Sequence, residues 1–157
     1  MYGRPETKLG EIFDKIPAAV NESIFKEVAG HNQKQLPEML ADFLPVAMKE
    51  LKLDKLPHIK LLKYVPDDNQ PTFGKFVNHE NKIYLGIANR HPIDILRTLA
   101  HELVHFKQNV EHKLGPESGT TGSPEENEAH QVAGIIMRHY DKMYPEAFHT
   151  EPLEFDV

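Results

Sequence analysis

The chain has 157 residues, 39% of them hydrophobic and 27% charged, which suits one compact domain and is short for two. A net charge of -6 counts against a domain built to grip phosphate backbones, so nucleic acid is not expected as its main partner. The absence of cysteine excludes a disulfide framework, a thiolate metal site and a cysteine nucleophile together, and leaves His, Asp and Glu as the available metal ligands.

No apolar stretch reaches the ~18 residues of a membrane helix, and Met1-Tyr2-Gly3-Arg4-Pro5-Glu6-Thr7-Lys8 does not lead into the apolar core of a secretory signal. A cytoplasmic location with no membrane partner is the expectation. In the first third, Ile12, Phe13 and Ile16, then Ile24, Phe25 and Val28, give broken helical periodicity punctuated by Pro17 and Gly30. Leu36-Pro37-Glu38 opens a second helix carrying Leu40, Leu44, Met48 and Leu51, which Pro45 is expected to kink or split. Residues 1–55 thus read as helical cover for the core.

From His58 the pattern changes to short runs rich in β-formers. Ile59-Lys60-Leu61-Leu62-Lys63-Tyr64-Val65 reads as a first strand closed by Pro66-Asp67-Asp68. Residues 72–77 and 82–87 read as two more, flanking the turn-prone Asn78-His79-Glu80-Asn81. Ile95, Leu96, Leu99, Leu103 and Phe106 then recur at helical spacing from about Pro92 to Val110. A loop rich in Gly, Ser and Thr separates this helix from a last one over about Pro124 to Met143, and the tail 144–157 is acidic with spaced aromatics. The expected fold class is α+β: three or more strands in one sheet, packed against the helix of residues 92–110 and a C-terminal helix, in a single domain over residues 1–157.

Ten histidines direct attention to metal chemistry. The helix of residues 92–110 contains His101-Glu102-Leu103-Val104-His105, where a spacing of four places two imidazoles one turn apart on one face, able to chelate a single ion. Glu102 follows the first histidine and is the candidate general base, taking a proton from an activated water and delivering it to a leaving amine. Zinc is the expected ion, because it accepts neutral imidazole and carboxylate in a four-coordinate site and needs no redox partner. Chance alone, at this chain's own frequencies, gives about 0.06 such pentapeptides, so context has to carry the reading. Here the element sits mid-helix, after a strand, with Leu103 and Val104 to anchor it.

A third ligand is required. Metzincins would place glycine at 108 and histidine at 111, where this chain has Gln108 and Glu111. His112 falls about 10 Å along a continuing helix and binds only if that helix ends first. The last helix offers Glu125, Glu126 and Glu128. Glu126 shares a face with Ala129, His130 and Ala133, small positions that permit close helix packing, whereas Glu128 turns roughly 160° away and Glu125 is the next candidate. Against Glu126 stands the capping box Ser123-x-x-Glu126, in which that carboxylate only reaches back to the Ser123 N–H.

Thr98-Leu99-Ala100-His101-Glu102-Leu103-Val104-His105, followed by Glu126-Asn127-Glu128-Ala129-His130, resembles the minimal gluzincin-type zinc peptidases, particularly the ImmA/IrrE-like group, over about the last half of the chain. A more distant likeness is to SprT-like peptidases, which use a third histidine. The gluzincin resemblance implies a later-helix E-x-x-A-[N/D] element whose glutamate is the third ligand. Glu126 and Ala129 match it, and His130 stands where Asn or Asp is usual. It also implies a zincin-like fold and peptide-bond hydrolysis, with the strand of residues 82–87 as the edge along which an extended substrate lies.

The metal ligands are therefore expected to be His101, His105 and Glu126, with zinc as cofactor, Glu102 as catalytic base, and a protein or peptide as substrate. The competing expectation is a catalytically weak zinc-binding regulatory or interaction module, and the third a structural protein without metal. Retention of Glu102 favours the enzyme, since a structural site needs no general base. His31, His58, His79, His91 and His149 read as surface or boundary residues, and His139 and Tyr140 as core or surface positions.

Overall fold

Where apolar side chains recur every three or four residues the chain is helical, and where they alternate it is extended. The structure is a computed structural model and describes residues 35–66, 72–111 and 122–149. The expected helices around Ile12 and Ile24, His31, His112 and the end of the acidic tail lie outside these residues.

Helix α1 (Gln35–Leu51) buries Leu36, Leu40, Phe43, Leu44 and Leu51. Pro45 does not split it: although the ring removes one backbone donor, burial of Phe43, Leu44, Val46 and Ala47 around it holds both halves in one helix. Strand β1 (His58–Leu62) buries Ile59 and Leu61 in strict alternation. It stops three residues short of the expected end, and Val65 makes only an isolated antiparallel bridge to Thr72.

Strands β2 (Gly74–Val77) and β3 (Lys82–Gly86) form the expected hairpin, joined through a 3-10 turn (Asn78–Glu80) and Asn81. Asn81 takes the left-handed conformation, at φ 54°, that asparagine tolerates better than most residues. The sheet order is β1-β3-β2, with β1 parallel and β2 antiparallel to the central β3. This corrects the expectation that residues 82–87 form a substrate-facing edge. Both sides of β3 are taken by neighbours, and the outer strand beside the histidine helix is β2.

Helix α2 (Pro92–Val110) and helix α3 (Pro124–Met143) begin where their caps dictate. Pro92 and Pro124 occupy first-turn positions, His91 Nδ1 accepts the Ile93 N–H at 3.0 Å, and Ser123 Oγ accepts the Glu126 N–H at 3.1 Å. Helix α2 is the hub: it packs on β2 and β3 and receives α1 and, most extensively, α3. Leu96, Leu99, Leu103, Ile136 and Tyr140 fill the space between. Tyr140 lies edge-on to Phe43 at 5.6 Å between ring centroids, a core position. The molecule is an α+β assembly of three helices and one three-stranded mixed sheet among the described residues.

Candidate metal centre

Helix α2 presents His101 and His105 on the face that meets the first turn of α3, and both rings reach the same carboxylate. His101 Nε2 lies 2.8 Å from Glu126 Oε1, and His105 Nε2 lies 3.0 Å from Glu126 Oε2. The three side chains are only 16%, 12% and 17% exposed. Their candidate donor atoms all fall within 4.8 Å of one another. Ligand atoms on a tetrahedral centre with ~2.0–2.1 Å bonds stand about 3.3 Å apart, so the two imidazole–carboxylate contacts, at 2.8 and 3.0 Å, lie a few tenths of an ångström inside that spacing.

Glu126 is aimed by its helix. Ser123 takes the Glu126 backbone N–H, and the carboxylate, instead of closing a capping box, has both oxygens against imidazoles. Ala129 and Ala133 are buried in the interface with α2, so their short side chains allow the close approach. Glu125 and Glu128 are outside the cluster. The Glu125 carbonyl and the Glu128 carboxylate accept hydrogen bonds from the Gln108 amide, at 3.0 and 2.8 Å. His130, one turn after Glu126, brings Nε2 to 3.4 Å from Glu126 Oε1 and its ring to 4.5 Å from that of His101, but its side chain is 71% exposed.

Glu102 turns toward the sheet. It is buried, and Oε1 accepts the Phe76 N–H at 3.0 Å. Burial pushes its carboxyl up to about 7; His105 and the Phe76 N–H pull it down, and the charge on Glu126 pushes it up. Burial also lowers the pKa of His101; Glu126 opposes that shift, while His105 and His130 reinforce it.

These residues line a cleft of about 1370 Å³, walled by β2, the first half of α2 and His130. Two supporting residues escaped the sequence reading. Gln108 is almost fully buried between α2 and α3, with its Oε1 2.8 Å from His105 Nδ1. Arg90 donates to the Gly86 carbonyl at 2.7 Å and to Thr98 Oγ1 at 2.7 Å, and its guanidinium lies 4.3 Å over the Phe73 ring, pinning the start of β2 to α2. Neither is signalled by a motif: Gln108 meets Glu125 and Glu128 only across the α2–α3 interface, and Arg90 meets Phe73 only through the packing of the sheet on α2. His139 pairs with Glu50 of α1 at 3.0 Å, outside the cluster.

Comparison with protein-family models, curated proteins and solved structures returns no match to this chain.

Proposed function

We propose that the chain is a zinc-dependent endopeptidase of gluzincin type, with a zincin-like domain that hydrolyses peptide bonds of a protein substrate. The observation that carries this reading is the convergence of His101, His105 and Glu126 from two helices, with Glu102 buried beside them. Two imidazoles and a carboxylate are a donor set that suits zinc, and three protein ligands match an open catalytic site rather than a closed structural one. When bound, zinc supplies Lewis acidity toward a peptide carbonyl and lowers the pKa of water toward neutrality.

The protein's own groups divide the remaining work. Glu102 lies next to His101 in the chain, and a carboxyl near 7 in the metal-free protein is poised to accept a proton from water and return it to the leaving amine. A nearby divalent charge favours its ionised form. The Phe76 N–H steadies that carboxylate from the sheet. An extended substrate segment would lie along the cleft-facing side of β2, the outer strand that lines the cleft.

One observation favours a second reading, the zinc-holding regulatory module. His130 stands close enough to Glu126 that an inward swing would add a fourth protein ligand and close the site. The two readings separate in one experiment, in which protein purified without chelator or histidine tag is assayed for metal content and for cleavage of a peptide library. The peptidase reading expects about one zinc per chain, cleavage that chelators abolish, and a Glu102→Gln variant that keeps zinc but cleaves at least about a hundredfold more slowly. Undiminished cleavage by that variant moves the catalytic role elsewhere. Four protein ligands and no cleavage would favour the regulatory module.

A further inference from the structure

We propose that Gln108 is a positioning residue for the metal centre, fixing His105 with Nδ1 protonated and Nε2 turned to the site, and tying that ring to the turn of α3 that bears Glu126. The inference rests on the metal-site reading above. Gln108 is 1% exposed, so each of its polar atoms needs a partner. Two neighbours of the amide, the Glu125 carbonyl at 3.0 Å and the Glu128 carboxylate at 2.8 Å, only accept hydrogen bonds when Glu128 is ionised, so they require the NH₂ group. Oε1 is thereby left facing His105 Nδ1 at 2.8 Å, and a carbonyl oxygen there requires Nδ1 to be the donor. Nε2 then remains for the cluster, opposite Glu126 Oε2 at 3.0 Å. The amide orientation, usually ambiguous, is dictated here by its acceptors. Because the same side chain bonds residues on either side of Glu126, it couples the ring's orientation to the helix turn that supplies the carboxylate ligand.

The test is nitrogen-15 NMR of the histidine rings, together with zinc affinity by competition with a chromophoric chelator. In the zinc-loaded wild type, His105 should carry its proton on Nδ1, slow to exchange with solvent, and zinc on Nε2; zinc on Nδ1 of His105 overturns the proposal. Gln108→Leu should remain folded, exchange that proton faster and bind zinc about 10–100-fold more weakly. Affinity within twofold of wild type would overturn it. If the Leu variant does not fold, the near-isosteric Gln108→Met, which likewise offers Nδ1 no acceptor oxygen, decides: zinc affinity about 10–100-fold weaker supports the proposal and affinity within twofold of wild type overturns it. If the wild type binds no metal, the peptidase reading fails, while a proton held on His105 Nδ1 in the metal-free protein still supports the Gln108 contact and an unprotonated Nδ1 overturns it.

Discussion

Glu126 accepts two imidazoles on its two oxygens, so each contact requires either a ring proton or a shared cation. That makes its carboxylate the most sensitive part of the centre. Glu126→Ala is expected to weaken zinc binding more than the same change at Glu125 or Glu128, as measured by chelator competition. Glu128→Ala should stay close to wild type, because Glu128 meets the site only through Gln108, whose NH₂ keeps the Glu125 carbonyl. Equal losses at Glu126 and Glu128 would remove the ligand assignment. Loss of the helix cap is a separate effect: Ser123→Ala forfeits the hydrogen bond to the Glu126 N–H, at a cost of about 1 kcal/mol, while leaving all three candidate donor side chains in place. At this scale the sequence was informative where a spacing sets geometry. His101 and His105 follow from the helical repeat, and Glu126 from its phase relative to Ala129 and Ala133. Gln108 was not legible, because its role depends on three partners, two of them across a helix interface.

The elements depend on one close approach. A Cβ on Gly74 would stand 2.4 Å from Thr98 Cγ2, on the helix that carries the histidines. Thr98 cannot turn its methyl aside freely, since its hydroxyl donates to the Asp94 carbonyl at 3.0 Å and accepts from Arg90 at 2.7 Å. Gly74→Ala should therefore push β2 off α2, stretch the Phe76 to Glu102 hydrogen bond and cost about 1–3 kcal/mol, the usual range for overpacking. Urea denaturation measures this, and an unchanged midpoint would show that the strand yields without strain. The bounds of α2 and α3 agreed with the sequence reading because proline and cap residues mark them chemically. Strand β1 ends earlier than its composition suggests, since Lys63-Tyr64-Val65 keeps a β-forming composition after pairing has ended. Which strand lies at the edge is not legible in the sequence for a deeper reason: all three strands are short and β-forming, and their order is decided by contacts between segments that the local pattern does not encode.

At the scale of the whole molecule, the apolar core of the described residues contains none of the candidate metal ligands. Leu36, Phe43, Leu99 and Ile136 are fully buried and join all three helices without a ligand side chain among them. Chelation is thus expected to leave helical circular dichroism largely intact. Zinc at about a hundredfold excess over its dissociation constant should raise stability by about 2.7 kcal/mol, seen as a melting temperature several degrees higher. Collapse of the spectrum on chelation would instead make the ion a folding element, as in a zinc finger.

The sheet order β1-β3-β2 also bears on the timing of assembly. β2 and β3 can zip together on a microsecond scale across their short turn, whereas the parallel pairing from His58 to Lys82 must close a longer loop and wait until the later strand exists. During synthesis β1 emerges first, and it is expected to join the sheet only after β2 and β3 have paired. Until it docks, β3 offers an uncovered row of amides and carbonyls to any other chain. A mutation that loosens Ile59 or Leu61 should accordingly reveal itself as self-association during refolding, through the bared side of β3.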